Sequence, residues 1–267
     1  MQNKIKGPKI VMIGAGNVAY HLSSALNSAG YYIVQVYNRT SLAAEQLAVK
    51  IGADPITNLD DIDQSSDVLI LALNDNALKD TIDHIQFSGQ LALHTSGSVP
   101  IDIFNGKAEY YGVLYPLQTL TKNRPVNMKE IPLLIEANSS KELANLKTLA
   151  KSISSKVILA DSLQRRQIHL AAVFASNFVN HMYVIADELM KKSGFTYQLL
   201  KPIILETALK ATELTNPIQA QTGPAIRMNR EIIEKHKEML SGNDDLQYLY
   251  TTLSEHISTY HSLHPHS

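Results

Sequence analysis

A glycine pattern near the amino terminus, Gly14-Ala15-Gly16-Asn17-Val18-Ala19, has the spacing of a loop that binds a dinucleotide pyrophosphate. It follows an apolar, partly β-branched run that predicts a buried strand, and it precedes a segment with helical spacing of apolar residues. Gly14 permits a tight turn, and Gly16 has no Cβ to obstruct the phosphates. The helix would offer free N–H groups and a positive dipole end to the phosphate charge. The alternative is an ordinary strand-to-helix turn.

The residues after the second predicted strand indicate which dinucleotide would bind. NAD-selective folds carry an acidic residue here that bonds the ribose 2′-OH, but this sequence has Asn38, Arg39 and Thr40. A guanidinium with neighbouring donors suits the 2′-phosphate of NADP. The alternative leaves Arg39 in solvent and gives Thr40 to the cap of the next helix. The sequence therefore predicts NADP(H) as the cofactor.

Two later strand ends should lie at the same edge of the sheet, where ligands of open α/β folds bind. The residues expected to line the nicotinamide half of the cofactor are Ala72, Leu73, Asn74 and Thr95. We expect Asp75 to cap the helix that follows. His94 could donate a proton, hold a substrate oxygen or cap a turn. Ser96 is expected to contact the substrate.

A long, mostly apolar helical pattern over residues 162–192 carries a polar stripe, and we expect this helix to be buried on several sides. At about 100° per residue, His169, Ser176 and Asn180 share a narrow face, with Arg165 and Asn177 at its flanks. Buried polar groups need partners. These could be other helices, with His169 a satisfied core histidine, or a substrate held between two domains.

His169 is the first candidate for the acid or base of a reaction, because an unperturbed imidazole titrates near neutrality. Asn177 and Asn180 would orient the substrate, and His94 and Tyr115 are reserve proton donors. Gln118, shortly after Tyr115, is a further candidate substrate contact.

A second candidate substrate loop is Gln221-Thr222-Gly223-Pro224. It precedes a predicted helix over 224–240, whose amino terminus could hold an anionic substrate group with Thr222 and Arg227. The alternative is a plain helix start with a surface arginine.

These residues require an α/β scaffold followed by helices. Strands are predicted over 10–13, 31–37, 67–73, 90–94, 110–114, 131–136 and 156–160. Four helical patterns then cover 162–192, 196–213, 224–240 and 244–260. We predict a Rossmann-type, doubly wound, mostly parallel sheet over residues 1–161 and an all-α substrate and dimerisation domain over 162–267.

Composition narrows the class of protein. The 267 residues are 45% hydrophobic and 18% charged with a net charge of −1, which favours a soluble globular protein without a nucleic-acid or anionic-membrane footprint. The absence of cysteine excludes disulfides, thiolate catalysis and Cys-type zinc sites. The amino terminus lacks a signal-peptide core, and no apolar run approaches the length of a membrane span, so we expect a cytoplasmic location. His261, His264 and His266 are expected to form a frayed tail, and no metal site is predicted.

Together, GAGNVA, HTSGS, LYPLQT, IHLAAVFASNF and QTGPAIR make the chain resemble, over essentially its whole length, a bacterial family. Its members are Rossmann-like proteins known as deazaflavin-coenzyme-dependent NADP oxidoreductases, with an uncharacterised helical carboxyl-terminal domain. More distantly the layout is similar to pyrroline-carboxylate reductases, 3-hydroxyacid dehydrogenases and ketopantoate reductases. The resemblance implies a carboxyl-terminal domain like that of 6-phosphogluconate dehydrogenase. It also implies that this domain forms a homodimer and closes the active site.

Two positions depart from these families. Tyr115 stands where family members commonly have His. The hydroxyacid dehydrogenases use a Lys-x-x-x-Asn pair, and if Asn177 is its Asn, Val173 occupies the lysine position and cannot transfer a proton.

The function hypothesis is an NADP-dependent oxidoreductase that transfers a hydride between the nicotinamide and a small carbonyl, imine or hydroxyacid at the domain junction. The enzyme alternatives are a ketopantoate-like 2-oxoacid reductase, an imine reductase and a deazaflavin-linked reductase. The alternative from another class is a non-catalytic NADP-binding redox sensor or scaffold.

Overall fold

The computed structural model describes residues 7–264, and these divide into two compact units between His181 and Met182. The first unit contains eight strands: β1 (Lys9–Ile13), β2 (Tyr32–Tyr37), β3 (Asp54–Ile56), β4 (Val68–Leu71), β5 (Leu91–His94), β6 (Tyr110–Pro116), β7 (Leu133–Ala137) and β8 (Val157–Leu159). The helices, in chain order, are α1 (Asn17–Ser28), α2 (Ser41–Ile51), α3 (Asp75–His84), α4 (Ser140–Ile153), α5 (Ser162–Ala172), α6 (Val179–Lys192), α7 (Lys201–Glu213), α8 (Arg230–Met239) and α9 (Asp244–Leu263). A π-helical segment, Val173–Phe178, joins α5 to α6.

The eight strands form one sheet in the order β3-β2-β1-β4-β5-β6-β7-β8. Every neighbouring pair is parallel except β6 and β7. The predicted doubly wound, mostly parallel fold is confirmed. β3, an edge strand of three residues that contains Pro55, was not predicted. Because β1, β4, β5 and β6 run in the same direction, their carboxyl ends meet at one edge of the sheet.

Helices cover both faces of the central strands. Ile10 and Met12 of β1 belong to a core cluster with Leu22 of α1, whereas Val11 and Ile13 belong to a second cluster on the other face. Burial on both faces explains why these strands are almost continuously apolar.

The predicted burial of the helix over 162–192 is wrong. Arg165 is the only buried residue of α5, and neither the π-helical segment nor α6 contains one.

The same helix is long and apolar. The 31 residues from Ser162 to Lys192 include an 18-residue window with a mean hydropathy of 1.3, so by length and composition this helix could cross a membrane. The expectation that no run approaches that length is therefore wrong. The pattern correctly indicated an apolar helix, but apolarity does not say what covers it.

In the second unit, the predicted helix start at Pro224 is wrong. Residues 224–228 form turns, and Met228 has a positive φ of 51°, which interrupts helical geometry. α8 begins at Arg230, where the Asn229 side chain accepts a hydrogen bond from the Ile232 N–H. The helix-dipole argument for an anion near Thr222 therefore does not apply.

The carboxyl-terminal histidines differ from the expected frayed tail. α9 continues through His261 to Leu263, and the His264 ring stacks on Tyr260 with centroids 4.4 Å apart. His266 lies outside the described residues.

The predicted domain boundary differs from the division into compact units. The helical part of the chain begins at Ser162, but the two compact units divide within α6. The domain limits of 1–161 and 162–267 therefore stay a prediction.

Candidate functional site

The glycine loop between β1 and α1 has the geometry that a pyrophosphate needs. Gly14 has a φ of +107°, and a Cβ there would lie 2.4 Å from the Ala72 carbonyl oxygen. Gly16 is the N-cap of α1, where no side chain caps the helix and a Cβ would meet nothing within 4 Å. The helix start is therefore uncapped and open, and its first turn has no acidic residue. These features fit a dinucleotide phosphate.

A cavity of about 290 Å³ opens beside this loop and brings together residues from three strand ends and from α5. It is lined by Gly16, Asn17, Val18, Ala72, Leu73, Asn74, Asp75, Thr95, Ser96, Gly97, Ser98 and His169. The predicted glycine-loop and nicotinamide residues thus share one cavity with the first candidate for proton transfer. Asp75, Gly97 and Ser98 also line this cavity, although none of them was predicted as a site residue.

The turn after β2 holds Arg39 at the surface. The Asn38 side-chain N–H group donates to the Thr40 hydroxyl at 2.8 Å and to the Thr40 carbonyl oxygen at 3.2 Å. Thr40 is the N-cap residue of α2, as that alternative expects, although its hydroxyl makes no capping hydrogen bond. The Arg39 guanidinium is exposed and has no hydrogen-bond or ion-pair partner among residues 7–264. It is free to bind an anionic group.

A carboxylate at the start of α3 fixes the loop that lines the cavity. Asn74 is the N-cap, since its side-chain oxygen accepts from the Ala77 N–H at 2.9 Å, so the predicted capping role of Asp75 is wrong. Asp75 instead accepts hydrogen bonds from the hydroxyls of Ser96, at 2.7 Å, and of Ser98. Ser96 in turn accepts from the backbone N–H groups of Ser98 and Val99, both at 3.1 Å.

His94 is fully buried at the end of β5. Its Nδ1 accepts a hydrogen bond from the Ser96 N–H at 3.1 Å, and its ring stacks on Phe104. Burial, assisted by the positive charge of Arg165, lowers the pKa of His94 to about 3. The ring is therefore neutral near pH 7, which favours the turn-capping alternative over proton donation.

His169 and Tyr115 form a hydrogen-bonded pair. The Tyr115 hydroxyl lies 3.0 Å from His169 Nδ1, and the rings meet edge to face at 79°. Burial raises the pKa of Tyr115 above its usual value, against a smaller opposing effect of Arg165. The phenol is thus protonated near neutral pH, and it can donate to Nδ1 in the tautomer of His169 that carries its proton on Nε2.

Gly97 allows this pair to form. A Cβ at Gly97 would lie 2.6 Å from His169 Nδ1 and 2.8 Å from Tyr115 Cζ, closer than real Cβ contacts. Only glycine lets the loop after β5 pack against both rings. The HTSGS motif contained this signal, since a glycine between two serines at a strand end indicates close approach of the backbone.

The π-helical segment changes the predicted polar stripe. Each residue of an i→i+5 helix turns roughly 20° less than a residue of an α-helix. Counted from His169, the segment therefore brings the exposed Asn177 toward the histidine face and turns the exposed Asn180 away from it. The same rotation turns Ser176 away from the histidine face, as it does Asn180. The uninterrupted α-helix assumed from sequence gave the wrong alignment for this stripe.

Of the predicted substrate residues, Ser96 lines the His169 cavity, whereas Asn177, Asn180, Gln118, Thr222 and Arg227 do not. Gln118 lines a separate polar cavity of about 500 Å³ with Arg124 and Lys156, among others. Thr222 and Arg227 are exposed in the second unit, in the turns before α8. Among residues 7–264, no group of three or more His, Asp or Glu side chains is placed to hold a metal ion.

Comparison with protein families matches residues 2–117 to a Rossmann-like domain and residues 131–257 to a domain of unknown function, DUF2520. A crystal structure from Bacteroides fragilis, described as a "putative NADP oxidoreductase", is 44% identical with a TM-score of 0.89 and covers 94% of this chain and 98% of its own. No curated protein matches the chain.

More distant structures share the fold. A protein from Thermotoga maritima is 20% identical with a TM-score of 0.75, covering 92% of this chain and 99% of its own. A reductive aminase from Aspergillus terreus, solved with NADPH4, cyclohexanone and allyl amine, is 17% identical with a TM-score of 0.67, covering 94% of this chain and 93% of its own. The resemblance inferred from sequence is confirmed: the chain combines a Rossmann-like domain with a DUF2520 domain and belongs to the same family as the Bacteroides fragilis protein.

Proposed function

We propose that this protein is an NADP-dependent oxidoreductase that reduces a small carbonyl or imine substrate in the His169 cavity. One observation carries the proposal: the glycine loop, represented by Gly16, Asn17 and Val18, lines the same cavity as His169. A cofactor held by the loop and a proton donor would then face one substrate. The family relationship to an NADP oxidoreductase adds support.

The chain's residues divide into cofactor binding and proton transfer. Gly14 and Gly16 would admit the pyrophosphate to the start of α1, and Arg39 would hold the 2′-phosphate. NADPH held by these residues would supply a hydride to the substrate carbon. Protonated His169 would supply the accompanying proton from Nε2 to the carbonyl oxygen or imine nitrogen, giving an alcohol or an amine.

Tyr115 keeps the His169 ring in one orientation throughout this cycle. A hydroxyl can accept from Nδ1–H when the ring is protonated and donate to bare Nδ1 when it is neutral. The 3.0 Å contact can therefore persist in both states, with Nε2 left for the substrate. We propose that Asn177, which the π-helical segment turns toward the His169 face, helps to orient the substrate.

The charge of the cavity lining favours uncharged substrates over substrates that carry a carboxylate. Asp75 is the one acidic side chain among the described residues that line it, and no Lys or Arg is present there. A substrate carboxylate would meet this like charge with only His169, the proposed proton donor, as a possible cation, whereas a neutral imine or ketone would meet no such repulsion. We therefore rank imines and ketones above 2-oxoacids and above a deazaflavin.

We further propose that the active form is a cytoplasmic homodimer that assembles through the helical region. Phe174 and Phe178 form an edge-to-face pair with a centroid distance of 4.9 Å, yet 61% and 49% of their surfaces are exposed. Leu170 on the same helix is 59% exposed. A contiguous apolar surface of this kind is typical of an interface.

The test is a set of NADPH-oxidation assays with cyclic imines, cyclic ketones plus amines, 2-oxoacids and flavins. His169→Gln removes the proton donor, so we expect kcat to fall by about 10²- to 10⁴-fold. NADPH affinity, followed by the cofactor's fluorescence, should stay within twofold. Tyr115→Phe keeps the ring but loses the contact with Nδ1, so its kcat should fall less.

His84→Gln is the matched control, because His84 lies at the far end of α3 and does not line the cavity. Wild-type kcat in His169→Gln would remove His169 from the mechanism. Tight NADPH binding without turnover of any substrate class would instead favour the non-catalytic sensor or scaffold.

A further inference from the structure

Arg165 is a fully buried charge next to the proposed site. Its guanidinium donates to Glu136 Oε2 at 2.5 Å and to the Val99 carbonyl oxygen at 2.6 Å, with a third contact to the Ser162 hydroxyl at 3.2 Å. The Arg165 side chain is 0% exposed and that of Glu136 is 18% exposed. Burying an ion pair costs desolvation free energy that apolar packing would avoid. Such a residue calls for a role beyond stability.

The contacts of Arg165 are in register with the His169–Tyr115 pair. Glu136 on β7 lies opposite Val113 on β6, so Glu136, Val113 and Tyr115 lie on the same face of the sheet. Arg165 and His169 are four residues apart and share a face of α5. Four helical residues advance about 6 Å, and two strand residues advance about 6.8 Å. Helix and strand can therefore make both contacts at once.

The cavity loop lies against these same two side chains. Arg165 bonds the Val99 carbonyl at the end of the loop, and His169 packs on Gly97. The Val99 N–H also donates to Ser96, which is bound to Asp75. Arg165 thus joins α5 to β7 through Glu136 and to the cavity loop through the Val99 carbonyl.

We propose that Arg165 is a positioning residue: by joining Glu136 to the Val99 carbonyl, it holds α5 where His169 meets Tyr115 against Gly97. The proposal rests on the proposed function only for its effect on turnover. Its effect on the His169 ring can be measured without any substrate.

The decisive variant replaces both charges, Arg165→Met with Glu136→Leu. Exchanging a buried ion pair for apolar residues of similar size commonly keeps or raises stability, so the double variant should fold with a melting temperature near that of the wild type. Arg166→Met, which changes the exposed neighbour on α5, is the matched control.

The first measurement is ¹⁵N NMR of histidine-labelled protein. In the wild type, neutral His169 should have its proton on Nε2, with Nδ1 shifted by the Tyr115 hydrogen bond. In the double variant we expect this signature to be lost, whereas Arg166→Met should keep it. With a turned-over substrate, kcat should fall at least tenfold while NADPH affinity stays within twofold.

Arg165→Lys gives an independent test if the double variant does not fold. One ammonium can reach Glu136 but lacks the planar fork that also bonds Val99, so we expect a folded protein with the His169 signature impaired. A folded variant of either kind that keeps the wild-type signature overturns the proposal. A lost signature in a protein without activity would leave Arg165 as the positioning residue and reject only the proposed function.

Discussion

Arg39 is the residue on which cofactor choice depends. It follows β2 as an exposed guanidinium, while Asn38 and Thr40 are hydrogen-bonded to each other and fix the turn around it. This arrangement leaves a planar cation at the place where NAD-selective folds carry an acid.

Arg39→Ala should therefore weaken NADPH binding more than NADH binding. Hydrogen bonds to charged groups contribute about 1.5–3 kcal/mol, which corresponds to roughly 10- to 150-fold in NADPH affinity. Fluorescence titrations with both nucleotides measure the difference, and Arg230→Ala, an exposed arginine at the start of α8, is the control. An equal loss of affinity for the two nucleotides would contradict the 2′-phosphate assignment.

His94 gives a prediction for the pH dependence of stability. Its pKa is about 3 in the folded protein against 6.5 for the free side chain, so the unfolded chain binds the proton more readily. Stability supplied by this group is present above pH 6.5 and is lost as the pH falls toward 3. Between pH 7 and pH 5 its contribution to the unfolding free energy should fall by about 2 kcal/mol.

Urea denaturation of the wild type and His94→Gln at both pH values tests this prediction. Glutamine offers an acceptor to the Ser96 N–H but does not titrate, so the variant should lose less stability on acidification. The same pH dependence in both proteins would show that another group is responsible.

The sequence predicted the separate residues of the site better than their contacts. His169 and Tyr115 were both candidates, but their hydrogen bond joins residues 54 positions apart, and no local pattern indicates it. Arg165 was placed beside the polar stripe, whereas its ion pair with Glu136 follows from the register of β6 and β7. Residue type indicates chemistry, and tertiary pairing determines which groups meet.

At the scale of elements, strong patterns were predicted and small interruptions were not. The buried strands β1, β4 and β5 were recognisable because both faces are covered. The π-helical segment inside an apolar helix has no sequence signal in a single chain, and it shifted the polar stripe. The start of α8 depended on the backbone of Met228, which residue types alone did not reveal.

At the scale of the whole molecule, the apolar helix over 162–192 has two explanations, a protein interface or a bilayer. It includes His169, Asn177 and Asn180 in its sequence, and polar groups of this kind are costly in hydrocarbon. We therefore propose a second copy of the chain, rather than a bilayer, as the partner of this helix.

Phe174→Asp should convert the proposed homodimer to a monomer, because a charge in an apolar interface is left without a partner. Sedimentation equilibrium over a range of concentrations measures the change. Val49→Asp is the control, since Val49 is 84% exposed on α2, which lies outside the carboxyl-terminal helices that would form the dimer. A wild-type protein that stays monomeric at all concentrations, or sediments only with membranes, would contradict the dimer.

The packing of Gly97 limits how this family can diverge. With a Cβ 2.6 Å from the imidazole, any larger residue at this position is incompatible with the His169–Tyr115 contact. We therefore expect three widely spaced positions to be inherited together: a relative that loses this glycine should also have lost the histidine or the tyrosine. Such joint changes would separate family members that keep the chemistry from members that keep only the nucleotide fold.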